Sequence, residues 1–443
     1  KWSVRGSYFR YMDDEIVPLK FYRHPHVSNF LSCLTDLDDV TLGSEKFVAC
    51  IEKRGIPRMI IFALENHEEP TMSCAMSGTS AIMHPSRKIV AFKDGDSLLI
   101  VDVEKGTTMR QHKQTDDVIF WKWIDENEIV LITHDAVYHW DISDESEPQL
   151  RCDRLESKRG GRIIDYQTGS GAEVLIADSE DGCSAGRMQL YSSTLRMPMA
   201  GDAACFVQFE MEGNPYPSNL FVSSRRNQEG GKVIVMEVGE RPFGNQPYMK
   251  KTLDVPYWQG HSDDYPQFMR ASSHHGVVFL ITKYGFVHLL DLETCQIIYS
   301  RRLFGHPILR VAEHSEGGFV AFDETGQIFT ISLDEMKMID YLKQKDPAMA
   351  TRLDRRWHKI GPECEVVEDT DSGRESVTDS SITRSASLIS LDSSHSLDAL
   401  GETTLTGLIT REEIAVRYRA NLERGDSDET FQEDEEEFIT IRL

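Results

Sequence analysis

A unit of about forty residues recurs seven times along this chain, and no other feature limits the fold so tightly. Each copy reads as an apolar strand, a polar turn, a second apolar strand, then usually an acidic or glycine-containing exit. The copies are residues 47–65, 89–104, 129–143, 174–194, 220–240, 277–294 and 318–335 of 443. Asp102 and Asp141 hold the same place in neighbouring copies, 39 residues apart. A lone hairpin cannot bury its faces. Four-stranded sheets packed radially can, and a period of roughly 40–50 residues fits a propeller blade. The expected fold is all-β: a seven-bladed β-propeller over residues 16–333, after an N-terminal extension at 1–15. The rival fold, a pair of β-sandwiches, would not repeat one hairpin seven times.

The pattern changes after Leu333. Met336, Ile339 and Leu342 fall at helical spacing. Asp346-Pro347 reads as an N-cap followed by proline at the first helical position, opening a second helix with a basic face. A helical linker over 334–360 is therefore expected. Residues 361–443 form an acidic Ser/Thr-rich tail, expected to be disordered because it lacks the apolar residues that offset the entropy of ordering. A short amphipathic helix is possible at 409–424, and 425–438 is an acidic run.

Charge follows the same division. The chain carries a formal −25. Residues 361–443 hold 21 acidic residues against 7 Arg and no Lys, a net −14, which leaves −11 for the first 360. A balance this acidic argues against nucleic acid or an anionic membrane as a direct partner. No apolar run approaches the roughly 18 residues of a membrane helix. The chain starts at Lys1 rather than Met, which leaves room for a preceding segment. Eight scattered cysteines without a Cys-x-x-Cys pair, and no Asn-x-Ser/Thr sequon, fit a reducing cytosolic setting.

Chemistry is mostly missing. His24 and His26, and the pair His274-His275, lack the carboxylate and spacing of a metal helix and read as loop or turn histidines. Gly169-Ser170-Gly171 lacks the later glycine of a dinucleotide fingerprint and reads as a turn. Trp121 and Trp123 share one strand face, as core or rim anchors before a ligand platform. The reading is no catalytic site, no metal and no cofactor. An enzyme would need His or carboxylate side chains converging on the central channel.

Several stretches match one family closely: SAIMHP (80–85), QTDDVIFWKW (114–123), AVYHW (136–140), MQLYS (188–192), MEGN (211–214), GGK (230–232), GNQPY (244–248) and FLITKYGFVHLLDLET (279–294). In this order, from about residue 16 to 353, the chain resembles the N-terminal propeller of the clathrin heavy chain. The resemblance implies a seven-bladed propeller that captures short peptides of adaptor and accessory proteins in grooves between blades. It implies a cytoplasmic protein of coated pits and vesicles, serving endocytosis and intracellular protein transport and meeting membranes only through adaptors. The family's helical leg and trimerisation hub find no counterpart in residues 361–443.

The resemblance also implies where the grooves lie, and their residues have drifted. Between the first two blades, Ser97, Leu99 and Val101 stand where the family grips the clathrin-box peptide with Thr, Gln and Phe. The family's nearby cations align with Cys74, Gly106 and Thr108, with Lys105 and Arg110 close enough in sequence to substitute. The top-face pocket aligns with Leu37, Arg162 and Ile164. Between blades four and five, Glu173 stands for a Trp, Leu190 is kept, and Arg196 lies near the family's Arg. Losing Trp removes the largest apolar anchor, and a Glu there would penalise an apolar peptide.

The tail carries the converse signal. Leu388, Ile389, Ser390, Leu391 and Asp392 fit a clathrin-box peptide. The alternative reading is thus an accessory protein that presents this motif to clathrin itself. Ser385 and Ser387 lie in a basophilic kinase-like context, and Thr430 precedes Glu433 in an acid-directed one; phosphate would add about −1.5 to −2 charges.

Overall fold

The computed structural model describes residues 17–358, apart from 33, 35–36, 38, 54–56, 66–71, 76–77, 79, 156–160, 180–183, 193–195, 229 and 257–262, together with 439–441. Seven antiparallel sheets follow one another. Blade 1 is Val40–Leu42, Phe47–Glu52, Arg58–Ala63 and Met72–Ala75; blade 2 is Ser80–Met83, Ile89–Asp94, Ser97–Asp102 and Thr107–Lys113. Blade 3 is Phe120–Trp123, Glu128–Ile132, Ala136–Asp141 and Gln149–Asp153; blade 4 is Ile163–Gly169, Ala172–Ala177, Arg187–Ser192 and Arg196–Ala200. Blade 5 is Ala203–Phe209, Ser218–Asn227, Gly230–Glu237 and Lys251–Pro256; blade 6 is Pro266–Ser272, Val277–Thr282, Phe286–Asp291 and Gln296–Arg302. Blade 7 takes Ile308–His314, Gly318–Asp323 and Ile328–Leu333 from the end of the ring, and Leu19–Arg23 from its beginning. That last strand closes the ring, with Leu19 paired to Leu333 and Arg23 to Phe329.

All seven repeat copies supply the two middle strands of a blade, so the period read from the sequence is the blade period. The first strands of neighbouring blades contact one another around most of the ring, which places them innermost. Side chains alternate between the two neighbouring blades. The apolar core therefore divides into seven clusters, one at each interblade seam, as a closed ring requires. Trp121 and Trp123 sit buried between blades 2 and 3, with Trp121 Nε1 donating to Ser80 Oγ at 3.0 Å, as core anchors. The equivalent aspartates end a third strand and cap its turn. Asp102 Oδ1 accepts from Lys105 N at 3.0 Å and Asp141 Oδ1 from Ser143 N at 2.8 Å.

Helix α1 (Pro25–Leu31) packs between blades 7 and 1. Helices α2 (Glu335–Lys345) and α3 (Pro347–His358) follow the ring. Asp334 caps α2 by accepting from Lys337 N, and Asp346 Oδ1 accepts from Met349 N at 3.0 Å ahead of Pro347. Ile339 and Leu342 are buried as their spacing suggests, whereas Met336 faces solvent and Met338 and Tyr341 complete the packed face. This hairpin buries Met338, Leu342, Leu353 and Trp357 against blades 6 and 7. In the tail, Ile439–Ile441 pairs parallel to the outer strand of blade 1, Ile441 opposite Cys74. No described helix is long and apolar enough to cross a membrane.

Candidate peptide grooves between blades

In blade 2, Leu98 and Ile100 pack toward blade 3, so Leu99 and Val101 face blade 1. There they meet Met59, Ile61, Met72 and Cys74. Cys74 is fully buried, and burial pushes its thiol up to about 11. Gly106 sits in the turn after Asp102, with its N–H on Asp102 O at 2.9 Å. This seam is apolar at its floor.

The outer strand of blade 2 sets its rim. Lys113 pairs opposite Ser97, Gln111 opposite Leu99 and Thr108 opposite Val101. Cross-strand partners share a face, so an exposed amide and an exposed cation stand over Leu99 and Ser97. Lys113 Nζ is 3.2 Å from Asp96, an exposed pair. Neither Gln111 nor Lys113 was singled out from the sequence. Of the two substitutes proposed there, Lys105 is exposed and bridged to Asp102 at 2.9 Å. Arg110 pairs opposite Ile100, and its Nε donates to Asp144 O at 2.9 Å, on the blade 3 side. The fold therefore does not bring Arg110 to the first seam.

In blade 4, Ala172, Val174 and Ile176 face blade 5, while Glu173, between them, faces blade 3. Its carboxylate accepts from Arg151 Nε at 2.6 Å and from Tyr166 Oη at 2.9 Å. Burial, reinforced by the Glu173 charge, pushes the Tyr166 phenol above its ordinary value. Arg196 lies opposite Tyr191, on that same face. Strand alternation thus turns Glu173 and Arg196 away from the groove between blades 4 and 5, and the expected penalty on an apolar peptide has no carboxylate behind it. Leu190 does face that groove. It pairs with Met197 and packs with Met199, Met236 and Phe206, all half-buried. Methionines adapt to irregular apolar partners, so this seam keeps an apolar wall without an aromatic anchor.

The third alignment disperses. Leu37 packs between blades 7 and 1, whereas Arg162 is exposed at the start of blade 4 and Ile164 packs between blades 4 and 5. Leu388, Ile389, Leu391, Asp392, Ser385, Ser387 and Thr430 lie outside the described residues.

Two clefts lie away from these seams. One of about 570 Å³ opens between blade 5 and α3, lined by Tyr216, Glu210, Glu212, Arg352, Arg355 and Arg356. The other, of about 470 Å³, is bordered by Glu45, Glu126, Glu313, His274 and His314. Its acidic groups tie blades together: Glu45 accepts from Ser315 N at 2.7 Å and lies 3.4 Å from His314 Nε2.

Together these features define a seven-bladed β-propeller with a docked helical hairpin and apolar seams that open between outer strands. No family model matches the chain. Its sequence is 35% identical over 358 residues to the probable clathrin heavy chain 1 of Caenorhabditis elegans, covering 78% of this chain and 21% of that protein. It is 33% identical over 359 residues to clathrin heavy chain 2 of Homo sapiens, covering 79% and 22%, and 33% over 358 to the clathrin heavy chain of Drosophila melanogaster, covering 78% and 21%. The chain matches the N-terminal domain of clathrin heavy chains. It spans about a fifth of the length of these relatives. Among solved structures, the beta-propeller domain of Myceliophteria_thermophila Cps50 (Swd1) matches with a TM-score of 0.41 and 10% identity, over 66% of this chain and 95% of that one.

Proposed function

We propose that this chain is a clathrin heavy-chain-like propeller that docks short linear peptides of adaptor and accessory proteins during coated-vesicle formation, without enzymatic activity, at the cytoplasmic side of coated membranes. The observation that carries the reading is the seam between blades 1 and 2. Leu99, Val101 and Met72 give an apolar floor for alternate side chains of an extended peptide. Gln111 offers an amide beside it and Lys113 a cation for an acidic end. The outer strand of blade 1 also accepts an added strand, as its pairing with Ile439–Ile441 illustrates. The seam between blades 4 and 5 is a second, methionine-walled groove of the same kind.

The test is fluorescence anisotropy of a labelled peptide of the form leucine, bulky, any, bulky, acid titrated with the full chain. Saturable binding that weakens in Lys113→Glu supports the reading. No saturation at about millimolar protein, a level worth about 4 kcal/mol, overturns it. A second reading rests on residues 388–392, whose sequence has that same form. Capture of clathrin by a 361–443 fragment, lost on Leu388→Ala with Leu391→Ala, favours presentation of a peptide over its capture.

A further inference from the structure

His274 and His275 lie in the turn between the first two strands of blade 6, and the carboxylate missing from their sequence neighbourhood arrives from the first residue of α2. Glu335 Oε1 stands 3.1 Å from His275 Nε2 and 3.5 Å from His274 Nε2. One ligand atom from each of the three residues lies within 4.8 Å of the others. The last residue of α3 approaches from the other side of the carboxylate, with His358 Nε2 3.8 Å from Glu335 Oε2. We propose that His274, His275, Glu335 and His358 form a zinc site that staples the helical hairpin to blade 6.

The donor set fits the ion. Three imidazoles and a carboxylate suit zinc and its borderline neighbours, whereas calcium and magnesium demand oxygen. Zinc–ligand bonds of about 2.0–2.1 Å in a tetrahedron put neighbouring donors roughly 3.3 Å apart. The two shortest separations here, 3.1 and 3.5 Å, bracket that edge. His274 is exposed on a turn and can close the remaining gap by side-chain rotation.

The supports behind the donors point the same way. A ligating histidine usually engages its other ring nitrogen, which fixes the ring and leaves the ligating lone pair free. His275 Nδ1 lies 2.7 Å from Ser272 Oγ, and His358 Nδ1 lies 2.9 Å from Asp354 Oδ1. Trp357 Nε1 donates to His275 O at 2.8 Å and fixes the turn against α3. Gly317 keeps the space open, because a Cβ there would fall 2.2 Å from Ser272 Oγ and 2.8 Å from His275 Nδ1.

The ion would join three elements: the blade 6 turn, the start of α2 and the end of α3. It would thereby fix the direction in which the chain leaves the propeller. The site stands independently of peptide docking.

The test uses the full chain, stripped with a chelator and titrated with zinc chloride against a chromogenic indicator, with thermal unfolding recorded beside it. One equivalent is expected to bind at micromolar Kd or tighter and to raise Tm. His274→Ala and His358→Ala, both exposed positions, are expected to leave the metal-free Tm unchanged, to weaken binding at least tenfold and to abolish the zinc-dependent rise. His314→Ala, near the same mouth of the ring, is expected to change neither zinc affinity nor the size of the zinc-dependent rise. Cobalt(II) is expected to show tetrahedral visible bands without the near-ultraviolet band of thiolate ligation, which separates this site from the cysteines. Three outcomes overturn the proposal: no saturable equivalent, a thiolate band, or binding undiminished in both variants.

Discussion

Arg356 Nη1 donates to Asp291 Oδ1 at 2.7 Å, and Asp291 is fully buried. Asp291 Oδ2 is already taken by Thr294 N and Oγ1 at 2.8 and 2.7 Å. Arg356 also bridges to Glu293 and stacks over Phe209, 5.4 Å from its centroid. One side chain of α3 therefore completes the charge accounting of blade 6 and touches blade 5. Arg356→Ala is expected to strand the carboxylate and to cost about 3–5 kcal/mol, measured as a fall in the urea midpoint. A loss below about 1 kcal/mol would show that water replaces the guanidinium and that the hairpin is held by its apolar face alone.

The groove residues give a prediction with its own control. Lys113→Glu reverses a rim charge facing blade 1 and is expected to weaken an acidic-ended clathrin-box peptide roughly tenfold, or about 1.4 kcal/mol, with a shallower salt dependence. Gln111→Ala is expected to lose less, about 0.5–1.5 kcal/mol, the worth of one hydrogen bond. Arg110→Ala is expected to change nothing, because its guanidinium is engaged on blade 3. Equal losses for Arg110→Ala and Lys113→Glu, read by the same anisotropy titration, would sink this assignment of faces.

That contrast shows what could be read from the sequence and what could not. The seven copies carry the strand pairs of every blade because an apolar strand, a turn and a second apolar strand are local in sequence. The outer strand of blade 2 is not local in this sense. Asp102 pairs with Thr107 and Val101 with Thr108, and an unbroken register would continue with Leu99 opposite Arg110. A bulge between Ile100 and Val101 shifts it by one, so Arg110 falls opposite Ile100 and Gln111 opposite Leu99. A single extra residue moved the cation to the other face, and nothing in the residues around Met109 announces it. The histidine cluster was hidden for another reason: 60 positions separate His275 from Glu335 in sequence, and only the docking of α2 on blade 6 joins them. The cap at Asp346, by contrast, was legible because it needs only its own neighbours.

Glu173 offers a test of the same rule of faces. It sits opposite Tyr191, which sits opposite Arg196, one row turned toward blade 3. Glu173→Ala is expected to leave the buried Tyr166 hydroxyl and the Arg151 guanidinium without their shared acceptor, at a cost of about 1–3 kcal/mol in chemical denaturation. Peptide affinity at the blade 4–5 groove is expected to stay unchanged. Met197→Asp, on the groove side, is expected to reverse the pattern, with folding affected less than binding. An affinity change in Glu173→Ala alone would place its carboxylate in the groove after all.

His288 supplies the pH dependence. It is buried on the third strand of blade 6, its Nδ1 is 2.8 Å from Ser300 Oγ, and burial pushes its pKa down to about 4. The unfolded chain, titrating near the usual 6.5, takes up this proton before the folded chain does. Stability from His288 is therefore complete above about pH 6.5 and falls as pH drops toward about 4, by on the order of 3 kcal/mol in full. His84, also lowered by burial, adds a loss of the same sign. His288→Gln removes the titration and keeps a polar group for Ser300. The variant is expected to be less stable than the parent at pH 7.5 and to close most of that gap by about pH 4.5. Urea midpoints at the two pH values measure the difference, in which carboxylate protonation common to both proteins cancels. A gap that stays constant with pH would mean that His288 takes its proton inside the fold as readily as outside it.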